Sequence, residues 1–348
     1  MSIIELFNYI FSNVTLIFTI LLTLIVVFVN GWTDAPNAIA TCVSTRAMKP
    51  RAAIYMAAIF NFLGVFFMTM INSTVAHTIY KMVDFRGSVH DSLTALCAAL
   101  VGIVIWAVAA WWFGIPTSES HALIAGLSGA AIALQGGLSG INGAEWIKVI
   151  YGLVLSLVMG FGLGFIVVKV IELIFKNYDR RKAFVLFKNA QIASGAGMAF
   201  MHGAQDGQKF IGVFMIGMFL AKGDGTTMEF QIPIWIMIIC SLIMAFGTSI
   251  GGYRIIKSVG IDMVNFEKYQ GFSADLAAIS CVLTASIYGL PVSTTHIKTT
   301  AIMGVGSAKS IFSVNWRIVR SMVFTWLLTF PGCGLVGYFM ATIFIKLF

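Results

Sequence analysis

Two short stretches of this chain join a carboxylate to residues that break helices, and two others join hydroxyls to a proline and a histidine. The first pair is Asn30-Gly-Trp-Thr-Asp34 and His202-Gly-Ala-Gln-Asp206, whose aspartates stand 206 − 34 = 172 positions apart. The second pair is Pro116-Thr-Ser-Glu-Ser-His121 and Pro291-Val-Ser-Thr-Thr-His296, repeated at 291 − 116 = 175. Two motifs that recur in the same order at nearly the same offset mark an internal duplication.

The chemistry open to these residues is ion binding. Asp34 and Asp206 each fall about midway along an apolar run, where a carboxylate costs several kcal/mol unless it meets water, a cation or a partner. Each has a glycine three residues before it, and Asp34 is followed by Pro36 and Asn37, which break a helix and free backbone carbonyls. Asp34, Asn37 and Asp206 are therefore candidate cation ligands. The plainer alternative is a pair of acids tied up in structural hydrogen bonds, and the duplication weighs against it. After each motif proline a new helix is due to start, and free N–H groups with hydroxyls there form a nest suited to a tetrahedral oxyanion. Thr117, Ser118 and Ser120 from one copy and Ser293, Thr294 and Thr295 from the other are the candidate anion ligands, although a Ser/Thr cluster after proline is also an ordinary helix cap. His121 and His296 follow their serines by one helical turn. They can relay protons or brace the segment by bonding a backbone carbonyl, and both readings stay open. Glu119 stands where the other copy has Thr294, making it a candidate cation ligand or proton carrier. Lys209 and Lys298 are further charges within apolar runs; Lys209, one turn beyond Asp206, can neutralise that carboxylate or meet the anion.

The elements that must position these groups are membrane helices. Of 348 residues 59% are hydrophobic and 10% charged, too little polarity to cover a water-soluble globule, and the mean hydropathy is +0.93. Apolar blocks of about 18 to 25 residues match an α-helix crossing the hydrocarbon core and exceed barrel strands. Such segments fall near 10–45 and 190–221, both interrupted, and near 52–75, 93–113, 115–136, 147–175, 232–253, 272–290, 291–308 and 318–346, about ten in all. Whether 115–136 and 291–308 cross or re-enter is open, since apolar length does not distinguish the two. The net charge of +8 comes from residues scattered through loops rather than gathered on a face, which excludes nucleic acid as a partner. Cys42, Cys97, Cys240, Cys281 and Cys333 lack paired spacing and read as small core residues, with no disulfide or metal cluster. Trp106, Trp111 and Trp112 read as an interfacial belt, and Gly136-Gly137 and Gly251-Gly252 as turns or close contacts, since no nucleotide-binding motif follows them. Glu5 before the first apolar run, with no basic stretch or cleavage site, argues that this run is kept as a span.

Lys176, Arg180, Arg181, Lys182 and Lys188 make 176–188 the most basic loop, so it is assigned to the cytoplasm. Counting outward, Arg46, Lys49 and Arg51, then Arg254, Lys257 and Lys268, then Lys309, Arg317 and Arg320 also fall inside, while Lys81, Arg86 and Lys222 fall outside beside Asp84, Asp91, Asp224 and Glu229. Both termini then lie outside. Five segments per half is an odd number, so two like halves insert with opposite orientation. The expected fold is an all-α integral membrane protein of two inverted-topology repeats, 1–175 and 190–348, joined by a basic cytoplasmic linker at 176–189, with broken helices and Pro-Ser/Thr-His hairpins meeting at the midplane.

On these residues the chain resembles the PiT family of inorganic phosphate transporters, whose members carry a Gly-Ala-Asn-Asp-x-x-Asn-type signature and a Pro-x-Ser-x-[Ser/Thr]-His stretch in each half. The matching positions are Gly31 to Asn37 and Gly203 to Lys209, then Pro116 to His121 and Pro291 to His296, and the resemblance covers nearly the whole chain. It implies symport of phosphate with sodium or a proton, or of a metal–phosphate complex, through a central site in which Asp34, Asn37, Asp206 and the hairpin hydroxyls hold phosphate and cation, with Lys209 offsetting charge. It further implies a multi-pass protein of the inner (plasma) membrane, with no enzymatic activity and no cofactor beyond the transported ions. Assembly as a homodimer is left open. The sequence departs from the family pattern at Thr33 and Gln205, where asparagine is usual, and at Gln208-Lys209. A fixed ammonium at Lys209 repels a metal ion 4 Å away by about 4 kcal/mol at an effective dielectric near 20, which argues against full sodium coordination on both sides. The rival readings are a permease for sulfate or another oxyanion, a membrane hydrolase using Ser118/His121 or Ser293/His296, and a passive anion channel.

Overall fold

The structure, a computed structural model, describes residues 13–115, 117–222 and 230–348. Glu5, Pro116, Asp224 and Glu229 lie outside the described residues. In hydrocarbon each backbone N–H and C=O must be satisfied within its own segment, so long apolar runs fold as helices. In the first half these are α1 (Val14–Thr33), α2 (Pro36–Ser44), α3 (Pro50–Ile71), α4 (Thr74–Met82), α5 (Val89–Trp112), α6 (Glu119–Gln135) and α7 (Gly143–Ile174). In the second half α8 (Arg180–His202) passes through a π-helical turn, Gly203–Gly207, into α9 (Gln208–Lys222). Then come α10 (Ile234–Ile250), a short segment Tyr253–Asp262 bent from it by 61°, α11 (Lys268–Ile287), α12 (Thr294–Lys309) and α13 (Trp316–Leu347).

Among the described residues six helices are long and apolar enough to cross a membrane, or seven if α10 and its bent continuation count as one span. These coincide with all the expected segments except 115–136, 190–221 and 291–308. In those places α6 has 17 residues, α12 has 16, and α8–α9 is broken at its π turn. The stretch 176–189, expected as a loop, is helical from Arg180, because Asp179 caps α8 by accepting from the N–H groups of Arg181 and Lys182.

The packing has a regular exchange. Helix α6 of the first half lies against α13 of the second, and α12 of the second against α7 of the first. Likewise α1 packs on α10 and α8 on α3, while α1 packs on α5 and α8 on α11. Backbones come close where glycines stand. A Cβ at Gly129 would run into the Gly334 carbonyl, and one at Gly304 into that of Phe161. Large apolar side chains such as Ile150, Tyr151 and Val158 on α7, and Phe324, Leu327 and Phe339 on α13, are exposed. A stripe of this size on both terminal helices suits a lipid surface rather than water. All five cysteines are buried and unbridged. Gly136 caps α6 with φ +66 and Gly251 turns at φ +74, so both glycine pairs are turns. The tryptophans do more than line a rim: Trp111 packs on Trp32 at 4.3 Å, and the Arg254 guanidinium lies 5.0 Å over Trp111 and 5.1 Å over Trp112.

Candidate functional site

Asp34 and Asp206 are each presented by a helix irregularity. At the end of α1 the N–H groups of Asp34 and Ala35 both donate to the Asn30 carbonyl, at 2.9 and 3.3 Å, and Pro36 opens α2 as one of its first residues. In the second half no proline is used; a π turn admits an extra residue and re-aims the side chain. Both carboxylates are buried, and they lie together with His202 so that one ligand atom from each of the three falls within 4.8 Å of the others.

The two acids share a scheme of partners. Asn37 donates to Asp34 Oδ1 at 2.7 Å and to Thr295 Oγ1 at 3.1 Å, while the Thr295 hydroxyl donates to Asp34 Oδ1. At the matching position, 37 + 172 = 209, Lys209 donates to Asp206 Oδ1 at 2.7 Å and to Ser120 Oγ at 2.6 Å; Ser120 is the counterpart of Thr295, since 120 + 175 = 295. Each hairpin is thus pinned to the broken helix of the opposite half. Ser120 also donates to Asp206 Oδ1 at 3.3 Å, and Thr294 to Asp206 Oδ2 at 3.2 Å. An ammonium has three hydrogens, and the third of Lys209 goes to the Val292 carbonyl at 2.5 Å. Lys209, placed by its sequence in the anion set, here spends all its donors on protein.

On the Asp34 side, oxygens are left over. Asp34 Oδ2, Asn37 Oδ1 and Glu119 Oε2 are buried and have no hydrogen-bond partner among the described residues. Buried acceptors are ordinarily paired, and carboxylate and amide oxygens without donors are of the kind a hard cation takes as ligands; the buried Asn30 amide nitrogen is likewise without a partner among the described residues. Glu119 Oε1 meets the Thr33 hydroxyl. That hydroxyl also lies 2.8 Å from the Val29 carbonyl.

Ser118 and Ser293 serve as helix caps, accepting from the N–H groups of His121 at 3.2 Å and His296 at 3.1 Å. Their hydroxyl protons remain available, and Thr117 is buried beside them. The histidine rings meet edge to face across the two halves with centroids 4.5 Å apart, and His296 packs at 3.9 Å on Trp326. Neither ring nitrogen of His296 has a hydrogen-bond partner among the described residues; its ring is held by packing. Ser and His here do not make a nucleophile–base pair, which needs the imidazole nitrogen within reach of the hydroxyl. Sequence reasoning missed His202, whose Nε2 is 3.4 Å from Asp206 Oδ2 and whose Nδ1 is 3.0 Å from Asn61 Oδ1. Its signal was position: it opens the duplicated segment, where the first copy has Asn30.

A model of the phosphate transporter family matches residues 30–337. A Bacillus subtilis (strain 168) protein described as "Probable low-affinity inorganic phosphate transporter" is 38% identical over 334 residues, covering 94% of this chain and 98% of its own length. A protein of Rhizobium meliloti (strain 1021) with the same description is 35% identical, again over 94% and 98%. One from Mycobacterium tuberculosis (strain ATCC 25618 / H37Rv) is 32% identical over 90% of this chain and 73% of that protein. Among solved structures, "The sodium-dependent phosphate transporter" superposes with a TM-score of 0.85 at 24% identity, over 97% of this chain and 100% of the other; this is a likeness of fold.

Proposed function

The chain belongs to the phosphate transporter family, a family of carriers and not of enzymes, and from that premise we propose that it imports inorganic phosphate together with a coupling cation by alternating access. The observation that carries this reading is the meeting of the two duplicated motifs. Asp34 and Asp206, from opposite halves, are bonded to the hairpin of the other half through Thr295 and Ser120, and Asp206 also accepts from Thr294 of its own half. In the proposed mechanism phosphate sits between the N-termini of α6 and α12, taking the Ser118 and Ser293 hydroxyls, Thr117 and the free N–H groups of the first turns. A cation on Asp34, Asn37 and Glu119 offsets its charge. Neither ion crosses cheaply alone, and joint binding lets the halves rock about the site.

The exchange of partners between halves supports reading 1–175 and 190–348 as inverted repeats, with α8–α9 the interrupted span that mirrors α1–α2. Lys209 then acts as a tethered counter-ion, holding on the Asp206 side the place that a second cation would take. The coupling ion is one per cycle on this account, a proton on Glu119 or sodium among the Asp34 oxygens. The name of the similar solved structure supports sodium; a buried carboxyl on Glu119 with one unpartnered oxygen is compatible with a proton.

The test is uptake of labelled phosphate into proteoliposomes with sodium and proton gradients imposed separately. One gradient should drive accumulation in the parent, and Asp34→Asn should abolish it. An Asp34→Asn protein that accumulates phosphate like the parent sinks the site assignment. Equal competition by sulfate favours the broader oxyanion permease.

A further inference from the structure

One buried charged cluster stands apart from the central site. Asp275 on α11 accepts four donors: Lys298 Nζ and the Thr41 hydroxyl (2.8 Å) on Oδ1, Gln191 Nε2 and the Ser194 hydroxyl (2.9 Å) on Oδ2. All five residues are buried. The donors come from α12, α2 and α8, so three helices converge on one carboxylate. Four convergent donors, one of them a cation, are a receptor for a small oxyanion, and here a side chain of the protein fills it.

Its position gives that receptor a use. Lys298 Nζ also lies 3.5 Å from the carbonyl of Ala38, the residue after Asn37, so the inner edge of the cluster adjoins the central site. At its outer edge the Thr45 hydroxyl donates to the Thr41 carbonyl at 2.8 Å. Thr45 lines a cavity of about 690 Å³ together with Phe187, Lys176, Arg180 and Lys268. These basic residues belong to the face that loop charge sets toward the cytoplasm. The other half offers the contrast. Positions 298 − 175 = 123, 275 − 175 = 100 and 41 + 172 = 213 are Leu123, Leu100 and Val213, all within the apolar core. The fold therefore packs here without charge, although the counterpart of Gln191, Thr19 (191 − 172 = 19), keeps a polar contact to Cys97; the charged version lies on the side of the cavity.

We propose that Lys298, Thr41, Gln191 and Ser194 form a second, transient oxyanion station between the central site and the cytoplasm, which Asp275 occupies when the path is closed. Phosphate leaving the centre displaces the carboxylate, passes over Lys298 and enters the cavity. This rests on the phosphate-transport reading above.

Two variants test it. Asp275→Leu with Lys298→Leu copies the apolar half, so it should fold and melt no lower than the parent, yet phosphate uptake should fall about tenfold, the cost of one lost charged contact to the anion. Asp275→Ala removes the tenant alone. Equilibrium binding of labelled inorganic phosphate to detergent-purified protein should rise from one equivalent in the parent to two, and adding Lys298→Met should return it to one. Parent-like uptake by the double-leucine protein, or one equivalent in Asp275→Ala, overturns the station. A parent that neither binds nor takes up phosphate overturns instead the reading on which it rests.

Discussion

Asn37 and Lys209 occupy one register in the two halves, make corresponding bonds, and differ in charge. On the proposed mechanism, that single difference sets how many mobile cations the site can use. Replacing Lys209 by Asn leaves Asp206 buried without its ion-pair partner, which costs about 3–5 kcal/mol when nothing else neutralises the acid. We expect Lys209→Asn to melt well below the parent in sodium-free buffer, to recover in sodium, and to show a steeper sodium dependence of uptake. A melting point insensitive to sodium would contradict the tethered counter-ion. Glu119→Gln keeps the shape and removes the titrating group. If Glu119 carries the coupling proton, the variant loses accumulation driven by a pH gradient but still exchanges internal for external phosphate; loss of both, or of neither, contradicts that role. Asp34, Asp206 and the hairpin hydroxyls were legible because duplication singles out polar residues in apolar runs. Asp275 was not, since it has no polar mate: its counterpart is Leu100, and only the packing of α11 on α12 shows its partner.

At the level of elements, irregularity is what serves function. Apolar length located the long helices and flagged 190–221 as interrupted, but it left the course of α6 and α12 open because a window of hydropathy averages over a break. Proline announces the break after α1, whereas the π turn at Gly203–Gly207 leaves no proline to read, only glycines at both ends. The hairpin helices depend on close backbone approach: Gly304 on α12 against Phe161 of α7, Gly129 on α6 against Gly334 of α13. A larger residue must push backbone rather than a flexible side chain, and overpacking of this kind costs about 1–3 kcal/mol. Gly304→Val should therefore lower the melting temperature and uptake together, while Gly162→Val, where a Cβ meets open space, changes neither. Equal effects at the two positions would mean that the crossing is looser than described.

Taken whole, the molecule repeats two motifs in sequence but varies the chemistry at matching positions: Lys209 against Asn37, Glu119 against Thr294, the Asp275 network against Leu100 and Leu123. Loop charge sets the proposed orientation, and it is testable directly. Single cysteines placed at Arg86 and at Lys176 should react with a membrane-impermeant thiol reagent from opposite sides of oriented vesicles; reaction from the same side would refute the inverted arrangement. The clasp of α6 by α13 also carries a consequence for synthesis. Chain growth delivers Glu119–Gln135 long before Trp316–Leu347, so the first hairpin must wait in the bilayer, its glycine face uncovered, until the last helix arrives. A protein interrupted before residue 316 would present that bare face to the membrane proteases of the cell, and the arrival of α13 is the step that ends its exposure.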